Sequence, residues 1–388
     1  MWILGLGCLM ACAQSAGSTS DNANFRGKLD NSRLKFTTEK KGHVAFMGGS
    51  ITEMEGYRPI MMESLKRRFP STDFSFTNAG ISSTCSTTGA FRLAEDVLSK
   101  GPVDLFFLEF AVNDDQDAHH GKKECIRGME GIIRHLRVHN PSCDIVMVHF
   151  VNEAMLASLA KGKEPLSSGS HEDVAVRHEI SSAHVARELA SRIKDGSLTW
   201  ARYGGVHPAR PGNELAASVV NRILDKGWSG PLAESIKAHP QAELLDKESY
   251  VRGRFLDSSQ WVRDAAWRLS VPDWKSIKGD CRPRFRNMPL FNTDLPAAEF
   301  SVSFEGNCLA AYLLAGPDAG IAEVSIDGGP FKPIQLKHAY SKGLHYPRTV
   351  MLATDLPQGT HKAAIRKARN DNPEEKTAIR IIRLGSNQ

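Results

Sequence analysis

The sequence predicts an α/β domain built on a parallel sheet with helices on both faces, followed by a smaller β-sandwich. Three observations carry that expectation. Short apolar runs alternate with amphipathic stretches from residue 43 to residue 228. One run, residues 103–110 (VDLFFLEF), is almost continuously apolar, as a strand buried on both faces must be. Beyond residue 292 the hydrophobic period changes to two, with turn residues between the segments.

Each element follows from its own residues. Val44-Ala45-Phe46-Met47 predicts the first strand. Residues 58–69 predict a helix, because Ile60, Met61, Leu65 and Phe69 recur on one face. Phe74-Ser75-Phe76-Thr77 predicts a second strand, residues 91–98 a helix, and residues 103–110 the third strand. Residues 124–139 are helical, with Ile126, Met129, Ile132, Ile133 and Leu136 on one side; Ile145-Val146-Met147-Val148 is the fourth strand. Residues 173–193 hold one or two helices and residues 214–224 another. This alternation places residues 36–228 in one α/β domain. Residues 229–292 are rich in Trp, Arg and Pro without a period, and read as an irregular connector. Residues 293–388 carry period-two segments at 299–304, 309–314, 322–326, 331–336, 349–352, 361–366 and 378–384, with Asp327-Gly328-Gly329 as a hairpin turn. They form the expected β-sandwich of about 100 residues.

The chain has 388 residues, and at roughly 150 residues per domain that fits two domains. An apolar fraction of 41% and a charged fraction of 24% exclude a disordered or collagen-like chain. Lys and Arg number 49 against 44 Asp and Glu. The net charge of +5, with no basic run interleaved with aromatics, gives no reason to expect nucleic acid as a partner. No apolar stretch reaches about 18 residues, so no bilayer-spanning helix is expected. The first ten residues, MWILGLGCLM, are apolar and uncharged, and a Ser-rich stretch follows. Residues 1–20 therefore read as an export signal and linker, which gives a periplasmic, outer-membrane-anchored or extracellular location. Ala11-Cys12-Ala13 fits a cleavage site; Leu9-Met10-Ala11-Cys12 has the pattern of a lipobox that would put a lipid anchor on Cys12. The positive charge usual ahead of such a core is missing, and the alternative is a plain cytoplasmic tail. Five cysteines remain: Cys85, Cys125, Cys143, Cys281 and Cys308, at spacings unlike a zinc site. Cys281 with Cys308 is the pairing an oxidising compartment would allow in the second domain; most of the five read more simply as small buried hydrophobes.

Chemistry concentrates at predicted strand ends. Gly48-Gly49-Ser50 follows the first strand, at the sheet edge where open parallel sheets bind ligands. Gly80 follows the second strand and Asn113 the third. With the Ser50 N–H, a Gly80 N–H and an Asn113 amide would make three donors for a tetrahedral oxyanion. His207, in Val206-His207-Pro208, falls where a base for Ser50 is needed. Each feature alone has a plainer reading as a turn, a cap or a solvated loop.

Taken together, Ser50 after a glycine, Gly80, Asn113 and His207 resemble the SGNH (GDSL-type) hydrolase superfamily over about residues 42–228. The resemblance implies a flavodoxin-like three-layer α/β/α fold and an esterase, acylhydrolase or carbohydrate deacetylase activity. It implies Ser50 as nucleophile, His207 as general base, and Ser50, Gly80 and Asn113 as the oxyanion hole, with no cofactor and no metal. Two departures stand out. The nucleophile motif is Gly-Gly-Ser instead of Gly-Asp-Ser. The Asp common three residues before the catalytic His is Gly204 here. Either a backbone carbonyl near Gly204 or Gly205 orients the ring, or a carboxylate from Asp114, Asp115, Asp117 or Glu53 replaces the missing one, or the enzyme is slow or inactive.

Other candidates complete the reading. Glu53 and Arg58 would line a polar substrate pocket or cap a helix. Ser82, Ser83, Thr84, Ser86, Thr87 and Thr88 form a hydroxyl-rich loop suited to sugar hydroxyls or simply to water. His119-His120 lacks a partner at metal-site spacing and is expected to be exposed. In the β region, residues 337–348 are rich in His, Tyr, Arg and Lys, which suits a carbohydrate ligand or a loop packed on the first domain. The leading expectation is an exported serine esterase removing acyl groups, acetyl foremost, from a poly- or oligosaccharide. The alternatives are a lipid or small-ester acylhydrolase, a sugar-binding protein with weak or no catalysis, and a glycosidic-bond-cleaving enzyme on the same fold. A carbohydrate substrate predicts a shallow polar groove; a lipid predicts a deep apolar one.

Overall fold

A computed structural model describes residues 22–369 and 377–388. The expected signal, linker and lipid-anchor site at Cys12 lie outside the described residues. Among the described residues, six strands build the first sheet: β1 (Ala23–Asn24), β2 (Lys41–Gly48), β3 (Asp73–Gly80), β4 (Leu105–Leu108), β5 (Asp144–Val148) and β6 (Ser181–Ala183), in the order β1-β6-β5-β4-β2-β3. Neighbours are parallel except β1, which runs antiparallel to β6. From β3 to β6 this is the flavodoxin-like order, and its direction reverses between β2 and β4. A crevice opens at that reversal, beyond the carboxyl ends of the strands.

The apolar runs are explained by burial on both faces. Val44, Phe46, Leu105 and Phe107 pack into one core, while Ala45, Met47, Phe106 and Leu108 pack into the other. Helices cover each side, among them Tyr57–Arg68 and Arg210–Gly227 on the first face and Ser86–Asp96 and Lys122–His139 on the second. β6 divides the stretch expected to be helical, between helices Leu166–Arg177 and Val185–Lys194. Its residues, Ser-Ser-Ala, carry no apolar run. Hydroxyls fix it instead: Ser182 Oγ donates to Glu172 Oε2 at 2.7 Å and Ser181 Oγ to the Arg26 carbonyl at 2.9 Å.

Among the described residues, eleven further strands form the second domain: β7 (Gly253–Phe255), β8 (Val262–Arg263), β9 (Arg268–Ser270), β10 (Leu290–Thr293), β11 (Glu299–Gly306), β12 (Leu309–Ala315), β13 (Ile321–Ile326), β14 (Lys332–Gln335), β15 (Tyr346–Ala353), β16 (Gly359–Lys367) and β17 (Ile379–Asn387). One sheet runs β15-β12-β17-β10-β9, with β7 also on β17; the other runs β14-β13-β16-β11-β8. The stretch 229–292 is thus not irregular throughout, because β7 to β10 join the sandwich sheets. These strands are two to four residues long and are held by their partners, not by a period of their own. At the expected hairpin, Asp327 and Gly328 take φ of 51° and 75°, which the turn between β13 and β14 requires.

β12 is buried along its whole length. Leu309, Ala311, Leu313 and Ala315 fill the sandwich core, while Ala310 joins the core of the first domain and Tyr312 and Leu314 a cluster with Ile81. The five cysteines among the described residues are buried free thiols. Cys281 and Cys308, the expected pair, are therefore unbonded, and they sit in different clusters, Cys308 against the first domain.

Candidate active site

β2 ends in Gly48, and the chain turns through Gly49 into a one-turn helix, Ser50–Glu53. Neither glycine has room for a side chain. A Cβ on Gly49 would lie 2.0 Å from Asn113 Oδ1, and one on Gly48 2.3 Å from Thr52 Oγ1. Buried Glu109 lies beneath the turn, its Oε2 accepting from Thr52 Oγ1 at 3.1 Å and from the Gly49 N–H at 3.3 Å. Burial pushes the Glu109 carboxyl up to about 7. Arg92, fully buried on helix Ser86–Asp96, donates to the carbonyls of Gly48 and Ala79 and so ties the ends of β2 and β3 together.

His207 reaches this turn from a loop that follows helix Trp200–Tyr203. Its Nε2 lies 2.8 Å from Ser50 Oγ. The loop is closed by Ala209 N–H to the Tyr203 carbonyl at 2.8 Å and by Asn213 Nδ2 to the Pro208 carbonyl at 2.6 Å. Gly204 caps the helix with φ 108°, and a Cβ there would meet the Ala209 nitrogen at 2.0 Å. No aspartate fits at that position. Among the described residues, no carboxylate lies within ion-pair distance of His207. Partial desolvation, and then the positive charge of Arg282, hold its imidazole below the ordinary value.

The four carboxylates considered as a substitute acid are committed elsewhere. Asp114, wholly buried, accepts from the Ser86 N–H at 2.8 Å, Ser86 Oγ at 2.6 Å and His171 Nε2 at 2.8 Å. Asp115 accepts from Asn152 Nδ2 at 2.7 Å. Asp117 accepts from Asn113 Nδ2, and burial pushes its carboxyl up. Glu53 accepts from the Ser82 N–H at 2.8 Å and from Arg284 at 3.0 Å. Burial would raise its pKa, but these bonds outweigh it and hold the carboxyl low. Glu53 and Asp117 do line the cleft at Ser50, whereas Arg58 does not. Arg58 is buried, bonded to Glu55 and to the Thr52 carbonyl, and serves the helix, not a pocket.

The expected oxyanion donors divide. At the start of its short helix, the Ser50 N–H has no partner among the described residues. Asn113 is buried with its amide against Gly49. Gly80 is different: its N–H donates to Asn78 Oδ1 at 3.0 Å, so it is not free for a substrate. Gly80 instead permits close packing, since a Cβ there would lie 2.3 Å from the Glu53 nitrogen. Three residues on, Ser83 takes φ 71°, lines the cleft and leaves its N–H without a partner among the described residues. Its Oγ accepts from Arg282 Nη2 at 2.6 Å. Ser83 belongs to the hydroxyl-rich loop; beyond it Thr84, Ser86, Thr87 and Thr88 are buried, not solvated. Arg282 comes from the stretch read as a connector, and nothing local in the sequence marks it.

The cleft has a volume of about 470 Å³ and is lined by Ser50, Glu53, Met54, Ser82, Ser83, Gln116, Asp117, His207 and Arg282. Only Met54 among these is apolar. The second domain reaches it through Arg282, and its His338 lies 2.6 Å from the Asp117 carbonyl with Tyr346 stacked on the imidazole. The loop 337–348 thus packs on the first domain. A hydroxyl 2.8 Å from an imidazole nitrogen, beside N–H groups unpaired among the described residues, is equipped to attack a carbonyl carbon and to stabilise the charge that develops on its oxygen.

Sheet order and covering helices together define a flavodoxin-like three-layer α/β/α fold with an appended β-sandwich. The same two-domain fold occurs in an esterase active on acetylated mannans, in a structure co-crystallised with mannopentaose: TM-score 0.76, 20% identity, covering 94% of this chain and 96% of that one. A second structure of a two-domain esterase active on acetylated mannans gives a TM-score of 0.75 at 20% identity, covering 94% and 97%. No family model and no curated protein matches the chain.

Proposed function

We propose that the chain is a serine esterase that removes acyl groups, acetyl foremost, from an acetylated polysaccharide. The observation that carries this reading is the 2.8 Å approach of His207 Nε2 to Ser50 Oγ in a polar cleft at the sheet reversal. His207 takes the Ser50 proton as Oγ attacks the ester carbonyl. The oxyanion draws on the Ser50 and Ser83 N–H groups and on the Asn113 Nδ2 hydrogen that Asp117 does not take. His207 then returns the proton to the departing sugar hydroxyl. In the second half-reaction it activates water against the acyl-enzyme. The pair acts as a dyad, with no carboxylate among the described residues behind the imidazole. The polar lining favours a sugar over a lipid acyl chain, and the likeness to a two-domain esterase active on acetylated mannans supports the substrate class. The same reading has the chain exported to where such polymers lie, with residues 1–20 as its signal.

Acetate release is to be measured across acetylated mannans, xylans and oligosaccharides. Ser50→Ala is expected to abolish release, and His207→Ala to reduce it by about 10²–10⁴-fold. Release that persists in Ser50→Ala excludes the covalent mechanism. Hydrolysis restricted to long-chain lipid esters transfers the site to the acylhydrolase reading.

A further inference from the structure

A second constellation lies behind the cleft and takes no part in the chemistry above. Cys85, Asp114 and His120 bring a thiol sulfur, a carboxylate oxygen and an imidazole nitrogen within 4.8 Å of one another. They come from three separate pieces of chain. Cys85 caps helix Ser86–Asp96, Asp114 belongs to the helical turn Asn113–Asp117, and His120 precedes helix Lys122–His139. His120 is not the exposed residue its sequence context predicts. His119 takes φ 50°, and the His120 N–H closes back on the Asp114 carbonyl at 2.8 Å, which folds the imidazole over the carboxylate.

We propose that Cys85, Asp114 and His120 bind one thiophilic divalent cation of the zinc type. The donor set is the thiolate, imidazole and carboxylate mixture that such ions prefer. A tetrahedral zinc with bonds of about 2.0–2.3 Å holds its ligands about 3.5 Å apart, so a small inward adjustment closes the site. His120 Nδ1 is buried and has no hydrogen-bond partner among the described residues, and it lies 3.4 Å from Asp114 Oδ1. Its other nitrogen, Nε2, is 3.3 Å from Thr87 Oγ1, which would accept the Nε2 proton and leave the Nδ1 lone pair for the metal. Ser86 and His171 hold the Asp114 carboxylate in place. A cavity of about 180 Å³, whose lining includes Cys85, His120, Glu124 and Arg348, gives room for a water as fourth ligand. Binding would release the Cys85 proton to solvent, and the charges of thiolate and carboxylate would balance those of the ion. The His149–Glu172–His184 group differs, because Arg26 already occupies its carboxylate.

The test is titration of the full-length reduced chain, freed of metal, with Co²⁺ and then Zn²⁺. One equivalent of Co²⁺ is expected to bind with a thiolate-to-cobalt charge-transfer band, which one equivalent of Zn²⁺ bleaches. Cys85→Ser removes the band, Cys125→Ser keeps it, and Thr87→Val lowers affinity about 10–100-fold. Absence of the band in the wild type, or its persistence in Cys85→Ser, overturns the proposal. Loss in Cys125→Ser with retention in Cys85→Ser also overturns it, because that moves the ion to the deeper set Asp114, Cys125 and His171. If circular dichroism shows Cys85→Ser unfolded, His120→Gln decides: an unchanged band and affinity reject the site. No readout involves ester hydrolysis, so the result is independent of the esterase reading.

Discussion

At the scale of single residues, the Ser50–His207 pair is set by two neighbours, Arg282 and Gly204. A general base must be neutral to act. Partial desolvation and then Arg282 lower the His207 pKa, so the acid limb of kcat/KM is expected below the ordinary imidazole value of about 6.5. Replacing Arg282 with Gln removes a positive charge that disfavours imidazolium, and the limb moves to higher pH. A pH–rate profile of the two proteins checks this; an unchanged limb means that Arg282 does not act on His207. Gly204 occupies the place of the acid in the pattern that the sequence resembles, and it invites the repair Gly204→Asp. The backbone forbids it. At φ 108° a side chain is strained by about 1–3 kcal/mol, and the Cβ collides with the Ala209 nitrogen. Gly204→Asp is therefore expected to lower both the unfolding midpoint and kcat/KM, measured by thermal denaturation and acetate release. A gain in kcat would show that the loop can open to accept a triad.

At the scale of elements, the strand–turn–helix unit that presents Ser50 depends on the contact between Gly49 and Asn113. Gly49→Ala drives a methyl into the Asn113 amide, and the turn or the amide must move. Because removal of one oxyanion donor costs about 10²–10³ in kcat, Gly49→Ala is expected to reduce kcat on this scale while KM changes little. A loss confined to KM would place Asn113 outside the oxyanion hole. The same unit shows what a sequence reveals. β2 and β4 are legible because burial on both faces demands continuous apolar runs, and the expected meeting of a strand-end Ser50 with a loop His207 is found at 2.8 Å. β6 is not legible, since hydroxyl bonds to Glu172 and Arg26 hold three small polar residues in place of an apolar run. Ser83 is named in the sequence only as one hydroxyl of a loop and Arg282 not at all, because their place in the cleft comes from a left-handed turn at Ser83 and from the reach of Arg282 across domains. Gly80 was misassigned because a glycine at a strand end looks the same whether it frees an N–H or makes room for a helix.

At the scale of the whole molecule, the two domains share one interior. β12 buries its second face against the first domain, and Arg127 clamps the junction, bonding Asp246 at 2.8 Å and Asp355 at 2.6 Å. The guanidinium is buried, whereas both carboxylates keep contact with water. Removing the cation thus leaves solvated acids, and Arg127→Ala is expected to cost about 1–3 kcal/mol, below the value for a fully buried pair. The clamp also carries a pH signature. Bonding to Arg127 holds Asp355 down to about 2, from an ordinary carboxylate near 3.9. A carboxylate depressed in the folded state stabilises above its unfolded pKa and loses that contribution as the pH falls through its folded one. The clamp's contribution is therefore complete above about pH 4 and disappears toward pH 2, and Arg127→Ala should flatten the stability profile in that window. Since the clamp and β12 belong to both domains, calorimetry of the full chain is expected to show one cooperative transition. Two separated transitions, with only one shifted by Arg127→Ala, would mean that the sandwich unfolds independently and that the Arg282 face of the cleft can be lost while Ser50 and His207 stay in place.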